Sequence, residues 1–384
     1  MYFTIGEKSQ LNDILNRICE KLQLNQTRKE RVETSYNALC NFITNSEYFG
    51  QFEKLDFYAQ GSYSIQTTVK PKGGNEFDLD FILEIYGEWK KENPLELLKE
   101  LHRIFIDSDL YKDKVEVKTR CIRINYADDF HIDILPSFPE GLCTLDTKLK
   151  VPDKEIKDWT DSNPKGYAKW FNDKCNTVIE IPVFEQKSAS IEPLPEAAPY
   201  AYTKPLRRAV QLMKRYRDIY YEDKESNGVK SIVITTLAGD FYTGESDEYD
   251  CINSILDKII RTIEDNNGQP FDIYNPTNTK EKLSEKWDSD SKSYDEFCKF
   301  IYEFKLKWNE LLTLSTFQEK ANVIQKLFGE NISKDVLLEQ AEYINKLRDA
   351  KKLAVDTTNG NLTSIIAPSN ISIKEVHKNT FYGE

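Results

Sequence analysis

The chain has 384 residues and a formal charge of −12, from 52 basic and 64 acidic side chains. That length supports a large core and two lobes, and the acidic balance argues against a general nucleic-acid-binding surface. Seven cysteines at 19, 40, 121, 143, 175, 251 and 298 form no Cys-x-x-Cys pair, and the three histidines lie far apart, which disfavours structural zinc. With no signal-peptide pattern and no apolar run of 18 residues, the expected compartment is the cytoplasm.

Residues 8–45 begin with apolar positions at helical spacing, namely Leu11, Ile14, Leu15, Ile18 and Leu22. Asn25-Gln26-Thr27 predicts an interruption, with a second helix to about Phe42. Leu55–Ala59 reads as a strand leading into Gly61-Ser62-Tyr63. There the glycine permits close backbone approach and the serine offers a hydroxyl to phosphate oxygens, while Tyr63 reads as packing. Lys70-Pro71-Lys72-Gly73-Gly74-Asn75 is a loop. The following strand, Glu76–Leu83, carries Asp78 and Asp80 on one face and Phe77, Leu79 and Phe81 on the other. Two carboxylates on one face repel each other unless a cation stands between them, and such hard oxygen ligands suit Mg²⁺ or Mn²⁺.

A helix is predicted over Pro94–Ile106, with Leu95, Leu98, Leu101 and Phe105 on its apolar side. Glu116–Tyr126 alternates over part of its length, as a half-buried strand does. Arg120 and Arg123 lie near the site strand and could touch phosphate. In Phe130–Pro136, Ile132 and Ile134 flank Asp133, and Pro136 predicts the end of the ladder, so that Asp133 lies near a strand end. His131 shares the face of Asp133, either as packing or as a nucleotide contact. Residues 182–205 hold five prolines, Pro182, Pro193, Pro195, Pro199 and Pro205, and read as a crossing between lobes.

From 205 onward the pattern is mainly helical. Lys214, inside an amphipathic helix, is either a solvated lysine or a point charge on a phosphate. Ser231 is either a helix cap or a phosphate contact. Asp265–Pro270 predicts a turn, and helices are expected at about 291–312, 316–328 and 333–352, then a polar break at Thr357–Asn361 and an irregular final 24 residues. No Gly-x-x-x-x-Gly-Lys-[Ser/Thr] loop and no nucleophile elbow occur.

The Gly61-Ser62 turn, the Asp78-x-Asp80 strand and Asp133 together resemble the DNA polymerase β-like nucleotidyltransferase superfamily. Within it the chain is most similar to the bacterial CD-NTases, relatives of cyclic GMP-AMP synthase and oligoadenylate synthase. Further segments carry the resemblance: Ser162–Phe171 with its Pro-Lys-Gly-Tyr, Leu206–Asp218 with its lysine, Lys230–Leu237, and Asn275-Pro276 through Trp287. One departure is the fifteen residues between Ser62 and Asp78, which predict a longer hairpin at Lys70–Asn75 beside the site.

The resemblance implies an α/β (α+β) fold: a polymerase β-like core with a mixed sheet, a helical C-terminal lobe and a long N-terminal spine helix. It implies a nucleotidyltransferase lobe over residues 1–200 and a helical, nucleotide-binding lobe over 201–384. The implied activity joins NTPs, with ATP and GTP as candidates, into a cyclic di- or trinucleotide second messenger and releases pyrophosphate, in the antiphage signalling called CBASS. Asp78, Asp80 and Asp133 would be the catalytic residues and would hold two Mg²⁺ or Mn²⁺ ions, and Gly61, Ser62, Lys214 and Ser231 would position the triphosphate. The expected partners are NTPs and, through the product, a downstream effector, with a monomeric enzyme needing neither nucleic acid nor membrane. Two other readings stand beside this one. A template-independent transferase would make linear oligonucleotides or modify RNA, which the net charge of −12 disfavours. An inactive nucleotide-binding regulator would be favoured by loss of an acid, and all three are present.

Overall fold

The computed structural model describes residues 5–72, 76–126, 130–141, 146–177, 204–224, 228–314, 316–351, 353–356, 362–364 and 373–375. The N-terminal spine is two helices, α1 (Ile5–Lys21) and α2 (Gln26–Thr44), divided at the predicted interruption. Asn25 caps α2, its side chain accepting from the Arg28 backbone N–H at 2.9 Å. The division sends the two halves into different cores. Leu11, Ile14, Leu15, Ile18 and Leu22 pack with the later helices, while Val32, Leu39 and Ile43 pack beneath the sheet.

That sheet has seven strands. β1 (Leu55–Ala59) leads through a short helix, α3 (Gly61–Ser64), to β2 (Phe77–Ile85). After α4 (Pro94–Ile106) come β3 (Val115–Val117), β4 (Ile122–Tyr126), β5 (Phe130–Pro139), β6 (Leu149–Asp153) and β7 (Asp158–Ser162). The order is β1-β2-β5-β4-β3, with β6 on β5 and β7 on β6. β2 and β5 run parallel and the other pairs antiparallel, so the sheet is mixed. On one face Phe77, Leu79, Phe81, Leu83 and Ile85 of β2 join Phe130, Ile132 and Ile134 of β5 and the buried side of α4. α4 forms where predicted: Asn93 accepts from the N–H groups of Leu95 and Glu96, and Pro94 opens the first turn.

Two strand expectations change. Glu116–Tyr126 is not one strand but a hairpin, β3 and β4, whose turn closes through the Lys118 N–H to the Cys121 carbonyl at 2.9 Å. β5 also continues through Pro136 to Pro139, so Asp133 is not at a strand end. Proline is tolerated because β4 pairs with β5 only as far as Ile134 and β6 begins at Phe138. Pro136 falls in the gap, where one edge of β5 needs no donor.

α5 (Pro164–Cys175) follows, and most of the proline-rich crossing lies outside the described residues. The helical part comprises α6 (Pro205–Tyr220), α7 (Ser231–Phe241), α8 (Glu248–Asp265), a hairpin of β8 (Tyr274–Asn275) and β9 (Asn278–Lys282), α9 (Lys286–Ser289), α10 (Ser291–Thr313), α11 (Phe317–Phe328) and α12 (Glu330–Asp349). Its core also takes in α1, Ile65, and Tyr167, Phe171 and Cys175 of α5, so the apolar residues do not sort at residue 200. The last residues are not uniformly irregular: β10 (Leu353–Asp356) pairs with β11 (Leu362–Ser364) and β12 (Ile373–Glu375), while the polar break at 357–361 lies outside the described residues. Among the described residues no helix is long and apolar enough to cross a membrane.

Trp308 anchors the helical core. It is fully buried, stacks on Tyr249 at 5.4 Å and donates its indole N–H to the Tyr249 carbonyl at 3.2 Å. Trp308→Ala should cost about 3–5 kcal/mol in chemical denaturation. On the same helix, Leu306→Ala, at a position 63% exposed, should stay within about 0.5 kcal/mol of the parent.

Candidate active site

The parallel pairing of β2 with β5 sets Asp78 opposite His131 and Asp80 opposite Asp133. All four point to the face away from the aromatic core, because Phe77, Leu79, Ile132 and Ile134 occupy the other one. On the far side of β5, Arg123 of β4 stands opposite Asp133. Its Nε and Nη2 each donate to one oxygen of Asp133 at 2.7 Å, and Nη2 lies 3.3 Å from Asp78 Oδ1. His131 Nε2 is 2.8 Å from the same Asp78 oxygen, and its Nδ1 is 3.5 Å from Glu76 Oε2.

The electrostatics follow from crowding. Burial, then the charges of Asp78 and Asp133, push the Asp80 carboxyl up to about 7, against the pull of Arg123 and His131. Burial would raise Asp78 too, but the hydrogen bond and charge of His131, with Arg123 and Lys118, hold it below the usual carboxylate range. His131 is displaced the other way: burial lowers it, and Asp78 more than offsets that. Three acids that already draw an arginine and a histidine are a donor set suited to a divalent cation. Asp78, His131 and Asp133 each bring a ligand atom within 4.8 Å of the others.

Gly61 backs this cluster. Its φ is +59°, and a Cβ there would stand 2.5 Å from Asp80 Oδ2. Only glycine lets the turn after β1 lie against that carboxylate. Ser62 Oγ is 3.4 Å from Thr68 Oγ1, and the Ser62 carbonyl accepts from the Thr67 N–H at 2.9 Å. Thr67 in turn accepts from Lys214 Nζ at 3.0 Å, so the turn bearing Ser62 is tied to α6. Lys214 is therefore buried, not a solvated surface lysine. Burial, then the charge of Arg217, brings its ammonium down to about 8, while Asp218 and Asp80 oppose the shift.

Ser231 is not the cap of α7. Lys230 holds that place, and the Ser231 hydroxyl, in the first turn, accepts from Arg217 Nη1 at 2.9 Å. The structure thus gathers Asp78, Asp80, Asp133 and Gly61 tightly, joins Ser62 to Lys214 through Thr67, and reaches Ser231 through Arg217. Of the two arginines marked near the strand, Arg120 pairs instead with Asp153 at 2.7 Å. Sequence reasoning missed Glu76, Thr67 and Arg217. Glu76 left a signal, as an acid two residues before Asp78 on the same strand face, and Arg217 left one in the basic run Arg207, Arg208, Lys214, Arg215 and Arg217.

The chain matches the family of the Second Messenger Oligonucleotide or Dinucleotide Synthetase domain over residues 10–175. It is 33% identical over 394 residues to a Roseivirga ehrenbergii protein named c-di-GMP synthase, covering 100% of each chain. The chain belongs to the bacterial CD-NTase family. As a CD-NTase of the polymerase β-like superfamily it is a nucleotidyltransferase that makes a second-messenger oligonucleotide from NTPs, in a family that generally uses divalent metals. This CD-NTase is similar in fold to Bradyrhizobium diazoefficiens CdnG solved with GTP, with a TM-score of 0.70 at 22% identity over 86% of this chain and 99% of that one. It is also similar to Escherichia coli DncV solved with 3′-deoxy GTP, with a TM-score of 0.55 at 18% identity over 86% and 90% of the two chains.

The raised Asp80 carboxyl has a consequence for stability. A free aspartate ionises near 4, whereas Asp80 keeps its proton to about 7 in the folded chain. The folded state therefore loses stability as pH rises through that window, and the loss persists above it. In chelator-treated protein, Asp80→Asn should raise the melting temperature at pH 8 and do so much less at pH 5, as read by calorimetry.

Proposed function

We propose that this CD-NTase makes a cyclic dinucleotide, with GTP as the first substrate to test, in a metal-dependent reaction. A ribose hydroxyl of one nucleotide attacks the α-phosphorus of a second NTP. A phosphorus–oxygen bond forms, the bond to the bridging oxygen breaks, and pyrophosphate leaves as the hydroxyl gives up its proton. A second transfer of the same kind closes the ring. The observation that carries this reading is the parallel register that sets Asp78 and Asp80 beside Asp133, with Gly61 pressed against Asp80. The full-length relative named c-di-GMP synthase supports the dinucleotide and the guanine base.

Asp78, Asp80 and Asp133 are the proposed metal ligands, and the proposed cofactor is two Mg²⁺ or Mn²⁺ ions. When bound, they supply charge neutralisation on the triphosphate and activation of the hydroxyl. The chain's own residues orient and neutralise. Gly61 and Ser62 present backbone and hydroxyl to the triphosphate, Lys214 supplies a point charge, and Ser231 adds a hydroxyl beside Arg217. Arg123, which donates to Asp133 and lies 3.3 Å from Asp78, would keep these carboxylates oriented toward such ions. We further propose a cytoplasmic monomer, with a catalytic lobe over 1–200 that lends α1 and α5 to the core of a helical lobe over 201–384. The product activates an effector in antiphage (CBASS) signalling, and neither nucleic acid nor membrane is required.

Incubation of purified, nucleic-acid-free protein with the four labelled NTPs and Mg²⁺ or Mn²⁺ should give a phosphatase-resistant product whose mass is that of a cyclic dinucleotide. DNA or RNA duplexes should leave the rate unchanged. A phosphatase-sensitive ladder would identify a linear product and overturn the assignment. Asp78→Asn with Asp80→Asn should abolish product while the chain stays folded, since it removes two ligands and their mutual repulsion together.

Lys214→Met should behave differently. Loss of one charge-assisted contact, worth about 1.5–3 kcal/mol, corresponds to roughly a ten- to hundredfold rise in KM for NTP, with turnover retained. An unchanged KM would make Lys214 a purely structural link to Thr67.

A further inference from the structure

Beside the three aspartates, the geometry brings a histidine to the same cluster. Among the described residues, the set whose ligand atoms converge is Asp78, His131 and Asp133. Asp80 lies opposite Asp133, with Gly61 against its carboxylate. His131 is no loose surface group: its side chain is 13% exposed, and the strand register holds it opposite Asp78. Nε2 lies 2.8 Å from Asp78 Oδ1. Two neighbouring ligands of one ion, with bonds of about 2.0–2.2 Å at right angles, lie about 3 Å apart.

The other ring nitrogen is also accounted for. Nδ1 faces Glu76 Oε2 at 3.5 Å. With a cation between Nε2 and the acids, Glu76 is placed to accept from Nδ1–H, the usual support of a metal-binding histidine.

We propose that His131 ligates the metal through Nε2, with Glu76 as its positioning residue, and that the site prefers Mn²⁺ to Mg²⁺. The inference rests on the reading of the acids as a metal site. Carboxylates serve both ions, whereas an imidazole nitrogen adds affinity for the transition metal and little for Mg²⁺, which demands oxygen.

The test is Mn²⁺ binding to the full chain without nucleotide, followed by electron paramagnetic resonance with electron spin-echo modulation. Wild-type protein should show ¹⁴N coupling from a directly bound imidazole. His131→Gln should lose that coupling and bind Mn²⁺ at least about tenfold more weakly, with Mg²⁺ affinity little changed. Glu76→Gln should keep the coupling and weaken Mn²⁺ roughly tenfold. Bound Mn²⁺ without ¹⁴N coupling in the wild type overturns the inference, and that measurement needs no variant to fold. Asp78→Asn with Asp133→Asn separates the two claims. If that variant loses Mn²⁺ while the wild type shows no nitrogen coupling, the acids are the site and His131 is not a ligand. If it binds Mn²⁺ like the wild type, or if the wild type binds none, the metal reading falls along with the inference.

Discussion

Three carboxylates on one face of a sheet repel one another, and the organisation of this protein follows from containing that repulsion. The acids cannot separate, because β2 and β5 are parallel neighbours in one register. Nor do they ionise alike: burial and the charges of Asp78 and Asp133 push the Asp80 carboxyl up to about 7. What meets them is positive: Arg123 across β4, and His131 on β5 itself. Both groups hold the acids in place within the sheet, so the geometry of the cluster is set by the fold itself.

The restraint comes from beneath. Phe77, Leu79 and Phe81 alternate with Asp78 and Asp80, and Ile132 and Ile134 flank Asp133, so every acid is followed by a buried apolar neighbour. Each such side chain contributes about 1.5–3 kcal/mol when buried. A slip of one residue would turn the acids into the core and the aromatics into the cleft. The same pattern therefore specifies both the fold and the site.

The helical part is joined to this face by the segment after Gly61. Thr67 accepts from Lys214, Gln211 Nε2 donates to the Thr68 carbonyl at 3.0 Å, and the Lys70 N–H donates to the Leu22 carbonyl at 2.6 Å. Arg215, buried at 4% exposure, donates to the Phe328 carbonyl at 2.9 Å and to the Lys70 carbonyl at 3.4 Å. A short stretch of chain thus carries the position of α6 to Ser62 and Asp80. A triphosphate at Lys214, as proposed, would be held against the acids by the same hydrogen bonds.

The sequence by itself determined what depends on local order. The period-two alternation around Asp78, Asp80 and Asp133 put the acids on one face, the apolar spacing and Asn93-Pro94 marked α4, and Asn25 marked the break in the spine. Tertiary structure decided what depends on which strands and helices become neighbours. Arg123 became the partner of Asp133 only because β4 lies antiparallel beside β5, and Pro136 could stay inside a strand only because β4 and β6 leave a gap opposite it. Likewise Lys214 was buried because Thr67, distant in sequence, folds over α6, and Ser231 met Arg217 rather than capping its helix. Spacing along one strand is a property of that strand alone, whereas a partner across the sheet, or from another helix, exists only once the chain has closed on itself.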